Sequence, residues 1–261
     1  MHPRASALVR VASKVPEVTV FFWVIKVLAT TVGETAADLL NFNLGLGLGG
    51  TTLAMFAVLA GALGLQYRAP YYIPWRYWLV VVLVSIAGTL ITDNLTDSFG
   101  VPLEVTTAGF AVALAVVFVW WYRSERTLSI HSITTRRRET FYWAAILFTF
   151  ALGTAAGDLL AERLGLGYLL SAALFATVIA FIGLFYGLRV FGGVFAFWAA
   201  YVLTRPLGAS LGDWVAQPSD SGGLNLGTVG PSAVCLLAVV VLVAYLTLSR
   251  RDEILDDGFG A

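Results

Sequence analysis

Charge is scarce in this chain. Only 12% of its 261 residues are charged, against 59% that are hydrophobic, where a soluble domain carries about a quarter charged. An ordinary soluble domain is therefore excluded, and the solvent of this chain is expected to be lipid. Acids and bases balance at a formal charge of +0, so the total gives no hint of nucleic-acid binding, and the position of each charge carries the information. Cysteine is nearly absent: Cys235 stands alone inside an apolar run, which excludes an internal disulfide and a cysteine-based zinc site. The two histidines, His2 and His131, fall in polar segments. No HExxH, P-loop or Cys/His pattern occurs and no nucleophile–base pair is visible, so the chain is not expected to be an enzyme. The first fifteen residues hold Arg4, Arg10 and Lys14 but no apolar stretch, so no cleavable signal peptide is expected.

What the chain has is long apolar runs. Spanning a hydrocarbon core of ~30 Å takes about 20 apolar residues in a helix. Eight stretches qualify, at 17–40, 51–67, 76–95, 104–122, 141–161, 168–187, 191–214 and 229–248. They are apolar nearly all round, unlike the helices of a soluble bundle. The expected fold is all-α: a polytopic membrane protein of eight transmembrane helices.

A motif recurs in the odd-numbered stretches. A Trp is followed ten residues later by a Gly and five later by an Asp: Trp23, Gly33, Asp38; Trp78, Gly88, Asp93; Trp143, Gly153, Asp158; Trp198, Gly208, Asp213. Asp38 to Asp158 and Asp93 to Asp213 are both 120 residues apart. This internal repeat predicts four tandem helical hairpins, 17–68, 76–123, 141–189 and 191–250, grouped as two halves, 1–123 and 124–261. Two spans per repeat give all four the same orientation, so they are parallel repeats about an axis along the membrane normal.

Thirteen of the sixteen basic residues fall on one side of the spans; of the other three, Arg163 lies in an opposite loop. The positive-inside rule then places both termini in the cytoplasm. The motif aspartates lie toward the other side, about 22 Å along the helix from each Trp at ~1.5 Å per residue.

Ionisable groups inside a membrane are costly and point to function. Here they are Lys26, Glu34, Asp38, Asp93, Asp97, Asp158, Arg205 and Asp213. Carboxylates at low dielectric attract cations and offer hard oxygen ligands. Glu34, Asp38, Asp93, Asp158 and Asp213, with the hydroxyls of Thr31 and Thr154, are therefore the candidate cation site. Glu34, Asp38 and Asp158 are its candidate ligands for a divalent ion, and no other cofactor is implied. Lys26 and Arg205 are candidate counter-charges or gates, each expected to meet an acid from another repeat, since the acids on their own helices lie eight residues away. The competing reading has the aspartates wet at the interface and the bases in static ion pairs. The motif glycines suit close helix packing. Pro206 is expected to kink or break its helix. The aromatics at the helix starts, among them Phe22, Trp23, Tyr77, Trp78, Tyr142 and Trp143, read as an interfacial belt.

The run from Val15-Pro16-Glu17 through Phe22-Trp23, Lys26, Thr30-Thr31-Val-Gly33-Glu34-Thr35 to Asp38, with its echo from Phe141-Tyr142-Trp143 to Asp158, resembles an uncharacterised bacterial family of multi-pass "membrane-anchored" proteins. The resemblance implies a bacterial inner-membrane location and no activity. The Gly-Glu-Thr to Asp grouping also bears an analogy to the Glu-x-Gly-Asp signatures of divalent-cation exporters.

Two functional readings follow. The first is an inner-membrane transporter or channel for a small cation, a divalent one included, acting through intramembrane carboxylates. The second is a non-transporting membrane scaffold or sensor whose intramembrane polar residues are structural. Expected partners are the lipid bilayer and a small inorganic cation, with no nucleic acid; oligomerisation is left open. The topology is directly testable: a cysteine placed at Ser132 should resist an impermeant thiol reagent in intact cells and react once the membrane is opened. Labelling in intact cells would reverse the orientation.

Overall fold

The computed structural model describes residues 9–10, 13–43, 47–253 and 255–256; His2, Arg4 and the middle of the glycine-rich turn, 44–46, lie outside them. Among the described residues there are eight long helices: α1 (Val20–Asn43), α2 (Gly47–Tyr67), α3 (Pro74–Asp93), α4 (Leu103–Glu125), α5 (Arg136–Asp158), α6 (Tyr168–Gly187), α7 (Gly193–Ala216) and α8 (Val229–Ser249). All are long and apolar enough to cross a membrane. Past the motif aspartate, α3 and α5 each run on into one wider π-helical turn, Asn94–Ser98 and Leu159–Arg163. Near the chain ends, strand β1 (Val9–Arg10) pairs antiparallel with β2 (Leu255–Asp256).

The odd helices form an inner ring in which α1 and α5 each pack between α3 and α7. More than half of each inner helix is buried, and less than a quarter of each outer one. This division follows from composition. The odd helices carry the polar and small residues, which lipid cannot satisfy. The even helices are almost wholly apolar and can face it.

The hairpin that is continuous in sequence is not the tightest packing unit. Each outer helix lies mainly on the inner helix of the next repeat: α2 on α3, α4 on α5, α6 on α7, and α8 back on α1. The arrangement is thus cyclic, and the link between α4 and α5 joins two helices that pack together.

The motif glycines explain how close the inner helices come. A methyl on Gly33 would fall on Ser85, one on Gly88 on Phe150, one on Gly153 on Arg205 and one on Gly208 on Thr30. Each of these knobs stands three residues before the glycine of its own repeat. One contact is therefore used four times around the ring, each glycine being the notch for the next helix. Pro206 sits in the same interface, against Gly153 and Gly157. Of the expected kink or break, the break does not occur: α7 continues through Pro206 as one helix.

The interfacial belt also needs correction. Tyr71 and Trp75 are exposed, but Phe22, Tyr77, Trp78, Tyr142, Trp143 and Trp198 are buried. They interlock across the ring at tilted angles, as in Phe22–Trp78, Tyr77–Trp143 and Tyr142–Trp198, and plug its basic end. Aromatic pairs of this geometry add about 0.5–1.5 kcal/mol each beyond the area they bury.

Over the plug lies a polar cap. Residues 13–17 cross it as a strap. Tyr72 N donates to Ser13 O, Lys14 N to Ile133 O, and Glu17 N to Asp252 O. The Lys14 ammonium pairs with the buried Glu139 at 2.6 Å, whose second oxygen accepts from Gln66 at 3.1 Å.

The glycine notches predict a sharp positional contrast. In Gly88→Ala the new methyl would stand 2.6 Å from Phe150 Cβ and 3.0 Å from Ala151 N, so backbone must move, at a cost of about 1–3 kcal/mol. Gly61→Ala in α2 meets nothing within 4 Å and should leave stability unchanged or slightly raised. Thermal unfolding in detergent compares the two; equal melting temperatures would remove the notch from the account of the fold.

Candidate functional site

The inner helices present residues to the ring axis at every fourth position, which gives layers about 6 Å apart. At the basic end the layer is Phe22, Tyr77, Tyr142 and Phe197. Next come Lys26, Val81, Ile146 and Tyr201, then Thr30, Ser85, Phe150 and Arg205. The fourth layer is Glu34, Thr89, Thr154 and Ala209; the fifth is Asp38, Asp93, Asp158 and Asp213. The second and third layers are completely buried. The repeats therefore agree at the acidic end and diverge at the core.

Arg205 reaches from α7 to the other inner helices. Its guanidinium donates to the Glu34 carboxylate at 2.8 Å and to Thr30 O at 3.2 Å, both on α1. It also donates to Thr89 on α3 and to Thr154 on α5, the latter at 2.6 Å. A buried guanidinium is tolerated when it is paired and hydrogen-bonded; both terminal nitrogens of this one are used, its Nε alone has no partner among the described residues, and it ties all four inner helices at one depth. The expectation that Arg205 would meet an acid from another repeat describes this contact. Thr154 belongs to the cluster. Thr31 does not: its hydroxyl returns to Val27 O within α1.

Lys26 has no such acid. It is fully buried, and its side-chain nitrogen has no hydrogen-bond partner among the described residues. It lies 4.1 Å from the centre of the Phe150 ring and 4.2 Å from that of Tyr201. Phe150 also faces Arg205, at 5.7 Å, so one ring separates the two cations.

The four aspartates converge at the acidic end. Asp93 lies in the field of Asp38, Asp158 in that of Asp93, and Asp213 in that of both Asp158 and Asp38, which closes a ring of like charges. All four also lie in the field of Glu34. No hydrogen bond or ion pair ties any of them down among the described residues. Asp38, Asp93 and Asp158 are half-buried and Asp213 is buried. The expected metal ligands Glu34, Asp38 and Asp158 do not form a cluster: among the described residues no three His, Cys, Asp or Glu side chains are placed to hold a metal ion. Glu34 is instead engaged by Arg205, one layer deeper than the aspartates.

Sequence reasoning missed several groups. Glu162 adds to the negative field of Asp38, Asp158 and Asp213 and accepts a hydrogen bond from Tyr168 at 2.9 Å; it lies just past the motif, where it read as loop. The Lys14–Glu139 pair joins two segments that looked solvated. The axial hydroxyls of Tyr77, Tyr142 and Tyr201 carried one available signal. Repeats two and three have tyrosine immediately before the motif Trp, where the other two have phenylalanine.

The Arg205 cluster predicts asymmetric mutational costs. Arg205→Met strands Glu34, and Glu34→Gln strands the guanidinium; each should cost about 3–5 kcal/mol, as when one member of a buried pair is removed. The double variant Glu34→Gln/Arg205→Met should cost less than the sum of the two. Thermal unfolding of the three variants measures this, and fully additive losses would mean that the two groups are not coupled.

The comparisons with known proteins add one finding on the repeat. A family described as "Repeat of Unknown Function (DUF347)" matches four times, over residues 21–72, 76–127, 141–189 and 196–252. No curated protein matches the chain, and no solved structure does. Each match takes in one inner helix, or most of it, and the outer helix that follows. Together they cover most of the chain, which belongs to this repeat family.

Proposed function

We propose that this protein is a membrane-embedded scaffold or sensor in which the deep polar residues serve to hold the inner helices in register. The observation that supports this reading is the Arg205 guanidinium, whose partners lie on each of the other three inner helices. A side chain so engaged, in a fully buried layer, works as a tie. In this reading the protein is not an enzyme. It sits in a bacterial inner membrane with both termini on the cytoplasmic side, as the distribution of basic residues favours. The cavities of about 620 Å³ beside Trp23, Ile182 and Phe197, and of about 530 Å³ beside Trp78, Val239 and Val243, lie on the outside of the inner ring. Both suit lipid chains.

A second reading, transport of a small cation, is favoured by one observation: the ring of four aspartates without bonded partners. Such a ring raises the local cation concentration at the acidic face. One experiment separates the two readings. Flux of sodium, potassium, magnesium, calcium and manganese into proteoliposomes is measured for the wild type and for Asp38→Asn and Asp158→Asn, alongside thermal stability. The scaffold reading expects no flux above empty vesicles and effects of substitution on melting alone. Saturable flux lost in either variant at unchanged melting temperature would overturn it in favour of transport.

A further inference from the structure

The two cavities outside the inner ring differ at their mouths. The one of about 530 Å³ is lined by aliphatic side chains, two tryptophans and Thr247, with no ionisable group among its described residues. The one of about 620 Å³ has a deep apolar part and a charged rim. Its walls are Ile179, Ile182 and Gly183 of α6 and Ala196, Phe197 and Ala200 of α7. On each helix these residues are three and four apart, so they share one face. Trp23 of α1 closes a third side, against Phe197. Ile182, Ala196 and Ala200 form an apolar cluster of their own, separate from the main core. From Gly193 to Ala200 along α7, the wall descends about 10 Å at ~1.5 Å per residue. The volume lies within the range of about 300–1,000 Å³ usual for ligand sites.

The rim is made by Glu17, at the end of the strap, and by Ser129 and His131, in the link between α4 and α5. Glu17 stands 3.5 Å from His131 Nε2, and the two side chains are 44% and 51% exposed. Other acids on the basic face are already taken: Glu139 by Lys14, Glu125 by Arg138, and Asp252 by the Tyr72 hydroxyl. Glu17 is therefore an accessible anion on a face rich in arginine. Beside it is a ring nitrogen that can donate, and beneath both is an apolar slot.

A lipid with a primary amine in its head carries the complement of each part. Its ammonium suits the carboxylate, its phosphate suits the imidazole N–H and the serine hydroxyl, and its chain suits the slot. We propose that this cavity holds one acyl chain of a phosphoethanolamine lipid, whose ammonium donates to Glu17 and whose phosphate accepts from His131 and Ser129. A phosphoglycerol head offers Glu17 no cation, and its net charge draws it to the arginines of this face instead. A phosphocholine head has the positive charge but no N–H to give a carboxylate oxygen. The proposal rests on the reading of this cavity as a lipid site and adds the headgroup to it. It holds whether the core of the ring acts as a tie or as a route for cations.

The test uses the full chain in proteoliposomes of equal parts phosphatidylethanolamine, phosphatidylcholine and phosphatidylglycerol. Native mass spectrometry after release counts the lipids that stay bound and gives their class. Gly183→Phe fills the slot: Gly183 lines it, and a Cβ there meets nothing within 4 Å, so the variant has room to fold. Wild-type protein should keep one more lipid than Gly183→Phe. That lipid should be phosphatidylethanolamine over either of the others by about two- to fivefold, the range of one exposed ion pair. Glu17→Gln should keep the lipid and lose the preference. Equal lipid counts in wild type and Gly183→Phe would overturn the lipid reading of the cavity and the proposal with it. An extra lipid of mixed class, or a preference that survives Glu17→Gln, would overturn the headgroup assignment and leave the lipid reading standing.

Discussion

A charged guanidinium in the middle of a membrane bundle has to be answered on several sides at once, and Arg205 is answered from three other helices. That requirement fixes the depth and rotation of α1, α3 and α5 relative to α7 more tightly than apolar contact does, because hydrogen bonds fail within a few tenths of an ångström and lipid-facing packing does not. The glycine notches make it possible. Without four backbones in close approach, a side chain of ordinary length rooted on one helix would not reach Glu34, Thr89 and Thr154 together. The aromatic plug and the polar cap then close the basic end over a core that is already set.

The ring combines near-symmetry in its scaffold with asymmetry in its chemistry. The notch contact and the aspartate layer are repeated four times. The layers between them are not. Where one repeat has Lys26, the others have Val81, Ile146 and Tyr201; where one has Arg205, the others have Thr30, Ser85 and Phe150. Buried charge explains this. Four arginines in one layer would repel one another at low dielectric, whereas one arginine can pair with a glutamate and donate to two threonines. A fourfold scaffold can therefore hold a single ion pair only by giving each repeat a different side chain in that layer.

The sequence showed the architecture because the same physics acted at four places. Gly33, Gly88, Gly153 and Gly208 keep equal spacing from their Trp and Asp because each fills the same notch. Lys26, Glu34 and Arg205 stood out because charge is rare in an apolar span. The meeting of Arg205 with an acid from another repeat was foreseeable from the absence of a partner within reach on its own helix. Other features left no local trace. Little in α2 says that it will lie on α3 rather than on α1, since between Thr52 and Gln66 its surface is apolar all round. Trp78 and Tyr142 at helix starts look alike whether they face lipid headgroups or one another. Glu139 and Lys14 sit in polar segments where solvation is the natural reading, and only the strap across the cap brings them together. The three carboxylates grouped as metal ligands were matched by position along the repeat, which says nothing of the layer at which Glu34 is taken by Arg205.

The return of α8 onto α1 has a consequence for how the chain can be cut. Every inter-repeat boundary in this ring is of one kind, an outer helix laid on the next inner one, and the boundary between last and first repeat is joined by packing where the other three are joined by peptide. The paired strands Val9–Arg10 and Leu255–Asp256 bring the two ends of the chain side by side at that same seam. Order along the polypeptide and order around the ring are thus separable. Joining the ends and opening the chain in the short link between α2 and α3 would yield a circular permutant with every helix contact retained, whereas dividing it into two equal pieces would expose two such seams on each.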